Sequence, residues 1–206
     1  MITSAEMKRL EERCARIGIS SQTLMENAGK AVFEILNKKF DLKDKKILVV
    51  CYHGNNGGDG FVAANYLSKV CEVNVLFIGD EEKLKPEAKK MYNKAFANKK
   101  IQFFDLDSYQ LETLNFNNYD IIIDALLGIG IKGHPRESII AAIDRINATN
   151  AFKVAIDVPS GLNPDTGETT KYVKADMIIT FHDLKPGLVN LKDKVIIADI
   201  GIPKEI

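Results

Sequence analysis

The sequence predicts an α/β fold in which a mostly parallel sheet is covered by helices on both faces. Short apolar runs that fit strands alternate with longer stretches in which apolar residues recur at helical spacing. This alternation is typical of parallel sheets joined by helices. At 206 residues, the chain is long enough for one well-packed domain and contains nothing that resembles a linker. We therefore expect residues 1–206 to form a single domain.

Two helices are predicted before the first strand, as an N-terminal helical extension. Thr3 and Glu6 fit a capping box at the start of the first helix. The second helix is predicted over residues 22–40. Within it, Asn27 and Gly29 interrupt a face that better helix formers would fill, which favours a functional role for these two positions.

After the second helix, strands and helices alternate regularly. Each short apolar run is followed by a turn and, in most cases, by an amphipathic helix. The predicted elements are strand 47–51, helix 58–69, strand 73–78, helix 86–97, strand 101–104, strand 120–124, helix 135–147 and strand 153–157, with two late strands within 173–180 and 195–200.

Composition favours a small-molecule partner. The 28 basic residues balance the 28 acidic ones, so the charge gives no reason to expect nucleic acid or a membrane surface as a partner. The three cysteines cannot all pair and lack metal spacing, as is typical of reduced thiols. The charged N-terminus does not fit a signal peptide, and no apolar run approaches membrane length. We expect a cytoplasmic protein.

A glycine-rich segment, residues 54–60 (GNNGGDG), follows the first predicted strand and precedes a helix. Its glycines would let the backbone approach a polar ligand, and the helix start would offer N–H donors. The segment lacks the Gly-Lys-Ser/Thr ending of a Walker loop and fits the dinucleotide fingerprint only loosely. Because Asp59 would repel a pyrophosphate, we expect the segment to hold sugar hydroxyls, an amide or a cation as well as any phosphate.

Polar side chains also follow two other predicted strands. Because ligands of open parallel sheets bind beyond the carboxyl ends of the strands, we expect Asn56, Asp124, Asp157 and Ser160 to converge there. One aspartate at a strand end is more often a turn former, but two of them beside the glycine segment favour a shared crevice. Two carboxylates in one crevice require one raised pKa or a bound cation. Asn, Asp and Ser oxygens suit an alkali or alkaline-earth ion.

Two lysines and three histidines follow predicted strands or turns. Lys132 lies in a glycine-flanked segment, where it could neutralise phosphate or move a proton, or could equally be a solvated surface residue. Lys185 follows a late strand; it could support the site, although a plain turn is the more common role for such a residue. The histidines lack metal spacing and any triad arrangement, and we interpret them as structural or peripheral: His53, His134 and His182.

Five segments of the chain together match the motifs of one known family. They are residues 25–29, 54–60, 124–128, 157–161 and 180–188. On these segments the chain resembles the NAD(P)H-hydrate epimerase family, the YjeF N-terminal domain, over nearly its whole length. The chain departs from the family pattern at two places, and neither involves the aspartates. Tyr52 and His53 stand where many relatives have Gly-Pro, and His134 stands where others often carry an acidic residue.

The resemblance implies a Rossmann-like three-layer αβα fold, usually dimeric. It also implies interconversion of the R and S forms of NADHX and NADPHX, nicotinamide cofactors hydrated at ring carbon six. By the same resemblance, a potassium ion would be held by Asn56, Asp124 and Ser160. The positions that would bind the damaged cofactor are Asn55, Asn56, Gly57, Gly58, Asp59, Gly128, Ile129, Gly130, Ile131, Lys132, Gly133, His134 and Asp157.

For catalysis, we predict Asp157 as the principal acid/base or cation stabiliser, with Lys132 assisting. Inversion at the substrate carbon by loss and return of the hydroxyl, or by ring opening, develops charge that a carboxylate can stabilise. The family domain is often fused to an ADP- or ATP-dependent dehydratase, and this chain ends about where that second domain would begin. A separate or fused dehydratase is therefore an expected partner.

Two other functions fit parts of the sequence. The same fold could serve as a non-catalytic nucleotide- or protein-binding module, although the retained Asp124, Asp157 and Ser160 argue against a pure scaffold. An NAD-dependent dehydrogenase is suggested by residues 58–60 and by Asp80, which follows the second strand at the spacing of a ribose-binding acid. The sequence shows no second substrate domain for such an enzyme.

Overall fold

The computed structural model describes residues 1–105, 114–130 and 135–203. Within them, seven strands form one sheet in the order β3-β2-β1-β4-β5-β6-β7. The strands are β1 (Lys46–Cys51), β2 (Glu72–Phe77), β3 (Ile101–Asp105), β4 (Ile121–Ala125), β5 (Phe152–Ile156), β6 (Met177–Phe181) and β7 (Val195–Ala198). The α-helices are α1 (Ser4–Arg16), α2 (Ser21–Lys39), α3 (Asn55–Leu67), α4 (Pro86–Phe96) and α5 (Glu137–Asn147).

Every pair of neighbouring strands in this sheet is parallel. Strand β1 lies near the middle of the sheet, where Val50 pairs with Leu76 of β2 on one side and with Asp124 of β4 on the other. The chain extends from β1 to β2 and β3 in one direction, and from β4 to β7 in the opposite direction. The reversal between β1 and β4 creates a crevice beyond their carboxyl ends.

Helices cover both faces of the sheet, which confirms the three-layer αβα prediction. Because successive strand residues point to opposite faces, Val49 packs into the core beneath α2, α3 and α4. Val50 packs on the other face with Ile139 and Ile143 of α5. A smaller apolar cluster around Leu188 closes the end of the sheet near β5 and β6.

The N-terminal helical extension is tied to the later part of the chain. The predicted capping box of Thr3 and Glu6 is present at the start of α1. Asn27 of α2 donates from Nδ2 to the carbonyl of Ile200 at 2.8 Å. A Cβ added to Gly29 would lie 2.4 Å from the Cβ of Val62, so this glycine permits α2 and α3 to cross closely. Both positions therefore have a packing role, and the functional role predicted for them stays a prediction.

Several element boundaries differ from the prediction for local reasons. Helix α3 begins at Asn55, three residues before the predicted start, so residues 55–60 form its first turns. Strand β5 ends at Ile156 because Asp157 adopts a φ of 64°, outside the β region. Strand β6 begins only at Met177, although the prediction extended it back to residue 173. No helix in the described ranges is long and apolar enough to cross a membrane.

Candidate functional site

A pocket of about 460 Å³ lies at the carboxyl ends of β1, β4, β5 and β6. Helices α1 and α2 supply an apolar wall, while the start of α3 and the turns after β4 and β5 supply polar groups. The apolar lining includes Met7, Leu24, Met25, Ala28, Leu126, Ile129, Phe181 and Ile200. The polar lining includes Glu11, Asn55, Asn56, Asp59, Lys85 and Asp157.

The glycines of the 54–60 segment mainly permit close packing of α3. A Cβ added to Gly57 would lie 1.8 Å from the carbonyl oxygen of Tyr52, and one added to Gly60 would lie 2.6 Å from the Cβ of Ala125. Gly58 is similarly enclosed, whereas Gly54 has nothing within 4 Å. Since Gly57, Gly58 and Gly60 are buried against protein, they bring the pocket-lining side chains of Asn55, Asn56 and Asp59 to their places.

Asn56 is the most unusual polar residue at the pocket. It is 7 % exposed, and its Oδ1 and Nδ2 atoms are buried without a hydrogen-bond partner among the described residues. Buried amide groups are normally satisfied, so an unpaired one at a pocket indicates a place for a ligand or ion. A Cβ added to Gly128 would lie 3.3 Å from both Cγ of Asn56 and Oδ2 of Asp157. Gly128 therefore leaves room between the two side chains.

Asp124 and Ser160 form a buried pair beside the pocket, and both residues have no exposed surface. The Asp124 carboxylate accepts hydrogen bonds from Ser160 N at 2.8 Å and Ser160 Oγ at 2.5 Å, and from Leu126 N at 3.2 Å. Ser160 Oγ accepts in turn from Leu127 N at 2.8 Å. Burial raises the pKa of Asp124 to about 6, although the hydrogen bonds from Ser160 and Leu126 oppose that shift.

Asp157 immediately follows β5 and reaches the pocket from a left-handed backbone conformation, with φ of 64°. Aspartate tolerates this region better than most residues, and such strained positions cluster at functional sites. Its Oδ1 atom lies 2.7 Å from Nζ of Lys185 and accepts from Oγ1 of Thr180 at 3.3 Å. The Oδ2 atom lies on the Gly128 side.

Lys185 contradicts the plain-turn interpretation. Its side chain is completely buried, and its ammonium group pairs with Asp157. It also donates to Oγ1 of Thr180 at 2.9 Å and to the carbonyl of Phe181 at 2.8 Å. In the sequence, the lysine simply precedes a Pro-Gly pair, a pattern that ordinary turns share.

Two further carboxylates face Asp157 across the pocket. Burial, followed by the charge of Asp157, raises the pKa of Asp59 well above its usual value. The pKa of Glu11 on α1 is raised for the same two reasons in the same order. Sequence reasoning missed Glu11 because a single acidic residue on an amphipathic helix is typical of a solvated face.

Of the remaining predicted residues, Gly128, Ile129 and Gly130 line the pocket as expected. Four other predicted ligand-binding positions lie outside the described residues: Ile131, Lys132, Gly133 and His134.

His53 and Asp80 have structural contacts. His53 lines the rim of the pocket, but its Nδ1 accepts a hydrogen bond from the backbone N–H of Asp80 at 3.2 Å. Asp80 caps the short 3₁₀ helix Glu81–Lys83 and pairs with Lys83 at 2.6 Å. Asp80 is not among the described residues that line the pocket. The dehydrogenase interpretation needs an acidic residue at the ribose, and Asp80 is not placed to be that residue.

Fold and site together define a Rossmann-like α/β protein with a ligand pocket at the reversal between β1 and β4. A family model described as "YjeF-related protein N-terminus" matches residues 21–187. The chain belongs to this family.

Curated relatives cover nearly all of the chain. A protein of Nitrosopumilus maritimus named NAD(P)H-hydrate epimerase is 38 % identical over 99 % of this chain and 96 % of its own length. One of the same name from Elusimicrobium minutum is 35 % identical over 100 % of this chain and 97 % of its own length. A bifunctional NAD(P)H-hydrate repair enzyme of Archaeoglobus fulgidus is 40 % identical over 98 % of the chain. The chain spans 42 % of that bifunctional relative.

A solved structure supports the fold. The crystal structure of the yeast protein YNL200c superposes with a TM-score of 0.85, covering 97 % of this chain and 87 % of the yeast chain. At 23 % sequence identity, this likeness establishes the common architecture of the two chains.

Proposed function

We propose that this chain is an NAD(P)H-hydrate epimerase that interconverts the R and S forms of NADHX and NADPHX. Full-length similarity to proteins that carry this name supports the proposal. The structural observation that carries it is the position of Asp157, whose carboxylate reaches the same pocket as Asn55, Asn56 and Asp59. A carboxylate beside a ligand cradle is the group that an epimerisation at a hydrated ring carbon requires.

The two walls of the pocket suit a hydrated nicotinamide and its ribose. Met7, Leu24 and Met25 offer an apolar surface to the ring, while Asn55 and Asn56 offer amides to hydroxyl and carboxamide groups. The volume of about 460 Å³ is within the usual range of small-molecule sites. We therefore assign the nicotinamide end of the substrate to the pocket, with its reacting carbon facing Asp157.

Inversion proceeds by loss and return of the hydroxyl at ring carbon six. The carbon–oxygen bond breaks, the hydroxyl takes a proton and leaves as water, and the ring nitrogen stabilises the resulting cation. Water then adds to the other face and gives a proton back. Asp157 stabilises the cation, and Asp59, whose pKa is raised well above its usual value, supplies the proton.

For Lys132, which lies outside the described residues, the assisting role stays a prediction from the sequence. This lysine belongs to the segment that follows Gly130, and Gly130 lines the pocket. An ammonium group there would neutralise a phosphate or shuttle a proton. We expect Lys132→Met to raise the KM for NADHX if the group binds phosphate and to lower kcat if it moves a proton, so steady-state kinetics separate the two roles.

We further propose that Asn56, Asp124 and Ser160 hold a potassium ion. The unpaired Oδ1 of Asn56, the carboxylate of Asp124 and the hydroxyl of Ser160 are hard oxygen donors, the type that alkali ions prefer. When bound, the ion would supply fixed positive charge beside the ligand. Replacing potassium chloride with N-methylglucamine chloride should lower the Tm of wild type, while Asn56→Ala should remove that difference.

We propose that residues 1–206 form a single domain and that the protein is a cytoplasmic homodimer. We also propose that it acts with an ADP- or ATP-dependent dehydratase, either separate or fused. The bifunctional repair enzymes among the relatives support this pairing. Size-exclusion chromatography with light scattering would test the dimer.

The direct test of the activity is the equilibration of purified R-NADHX and S-NADHX, followed by chromatography with and without the protein. We expect the protein to accelerate equilibration in both directions. An unchanged rate would favour the non-catalytic binding module.

A further inference from the structure

A buried ammonium group lies directly behind the carboxylate to which we assign the chemistry. Nζ of Lys185 has three oxygen neighbours: Oδ1 of Asp157 at 2.7 Å, Oγ1 of Thr180 at 2.9 Å and the carbonyl of Phe181 at 2.8 Å. An ammonium group has three N–H donors, so these neighbours account for all of them. The lysine side chain is fully buried, which leaves it no route to the substrate.

The contacts of Asp157 differ between its two oxygens. Oδ1 is occupied by Lys185 and by the hydroxyl of Thr180. Oδ2 points to the space beside Gly128, next to the unpaired amide of Asn56. One oxygen is thereby anchored to the protein, and the other faces the position proposed for the substrate.

The other charges around Asp157 oppose its ionisation. Asp59 comes from α3 and Glu11 from α1, and both interact with the charge of Asp157. Lys85, at the start of α4, lies near Glu11, whereas Lys185 touches Asp157 directly. Without Lys185, three carboxylates would share the pocket and repel one another, and Oδ1 of Asp157 would lose its anchor.

We propose that Lys185 is a positioning residue that pairs with Oδ1 of Asp157 and holds its Oδ2 atom toward the substrate. The inference rests on the proposed epimerase function and deepens it. Stability alone gives little reason for such a pair, because buried ion pairs often contribute no more than apolar residues of similar volume. An anionic Asp157 also assigns roles: it stabilises the substrate cation, and the proton comes from another group.

The test compares Lys185→Met with wild type across pH. Methionine keeps most of the length and removes the charge. We expect kcat/KM for NADHX to fall about a hundredfold at neutral pH and to recover partly at higher pH, because the variant lacks the positive charge that pairs with the reacting carboxylate. Affinity for intact NADH, measured by calorimetry, should change little. The matched control is Lys171→Met, which removes an exposed lysine paired with Asp144 at 2.7 Å and should behave as wild type.

The shape of the pH profile distinguishes positioning from a merely structural role. If Lys185→Met lowers activity by the same factor at every pH, or loses NADH affinity in parallel, the positioning role is overturned. If wild type does not equilibrate NADHX, the proposed function fails and the inference fails with it. An active wild type with an unshifted variant profile would overturn the inference alone.

A double variant guards against a simple folding defect. Lys185→Met leaves a buried carboxylate without its partner, and Asp157→Asn leaves a buried ammonium without its partner. The double variant removes both charges and should have a higher Tm than Lys185→Met. Stability losses of the two single variants that simply add in the double variant would show that the two charges are not coupled, and would contradict the proposal.

Discussion

At the scale of single residues, Asp157 combines a strained backbone, an anchored oxygen and a free oxygen. The left-handed φ of 64° turns the side chain away from the path of β5 and toward the pocket. The contacts of Oδ1 with Lys185 and Thr180 then fix its orientation. These features together orient the Asp157 carboxylate toward the pocket, and strained backbone conformations of this kind cluster at functional sites.

The first prediction concerns Asp157→Asn. The amide keeps the size of the side chain but removes the charge that we propose to stabilise the substrate cation. We expect kcat for epimerisation of NADHX to fall by about a hundredfold to ten thousandfold, while the Kd for NADH is retained. Quenched reactions analysed by chromatography measure kcat, and calorimetry measures the Kd. Parallel loss of turnover and binding would count against the assignment.

The second prediction concerns pH and Asp124. Its pKa is raised to about 6 in the folded protein, above the value near 3.9 of an exposed aspartate. Its contribution to stability is therefore complete below about pH 4 and declines as the pH rises through about 6. In potassium-free urea titrations, wild type should lose up to about 3 kcal/mol relative to Asp124→Asn across that window. A difference that stays constant from pH 4 to 7 would refute this.

Sequence reasoning singled out residues whose type and whose position relative to the strand ends are both typical of a ligand-binding site. Asp124 lies near the end of β4, and Asp157 and Ser160 follow β5, in a pattern that parallel-sheet topology makes informative. Glu11 was missed, and Lys185 was named as a possible supporting residue with a plain turn as its more common role, because each looks like an ordinary surface residue locally. Their roles arise from long-range packing, which places α1 and the turn after β6 around the same carboxylate.

At the scale of elements, the start of α3 shows what the glycines contribute. We expected these glycines to let a ligand approach the backbone closely. At Gly57 and Gly60, it is other parts of the protein that pack closely against α3. Helix α3 can thereby begin at Asn55, immediately beyond β1, and direct Asn56 and Asp59 into the pocket. The predicted helix began three residues later because glycine is a poor helix former, and tertiary contacts override that propensity here.

The third prediction compares two glycines of this element. A methyl group at position 57 would lie 1.8 Å from the carbonyl oxygen of Tyr52, whereas one at position 54 would meet nothing within 4 Å. We expect Gly57→Ala to lower the free energy of unfolding by about 3 kcal/mol or more. Gly54→Ala, at the N-cap, should lower it by less than about 1 kcal/mol. Chemical denaturation measures both, and equal losses would show that the close approach is not the cause.

Most element types followed from apolar spacing, and the errors occurred where tertiary structure decides. Strand β5 was extended by one residue because Asp157 continues an apolar run, and only its backbone angle reveals the break. Residues 173–176 were assigned to a strand on their composition, but the paired ladder begins at Met177. The capping box at Thr3 was predictable because it depends on neighbours in the sequence alone.

At the scale of the whole molecule, the reversal of strand order between β1 and β4 determines where the pocket forms. The topology brings the ends of four strands together, and the N-terminal helices close one side with Met7, Leu24 and Met25. The fold class and this edge of the sheet were predictable from the alternation of strands and helices. The covering by α1 was not, because nothing in the local sequence shows where an N-terminal helix will pack.

We propose that Asp157 and the start of α3 meet around one end of a nicotinamide nucleotide. A crystal structure of the protein with bound NADH or NADPH tests it most directly, since it locates the ring. We predict ring carbon six within about 4 Å of the Asp157 carboxylate, a contact distance for non-bonded atoms. We also predict that the adjoining ribose contacts Asn55 or Asn56. A nicotinamide ring bound elsewhere, with Asp157 facing an empty pocket, would contradict this placement of the nicotinamide end.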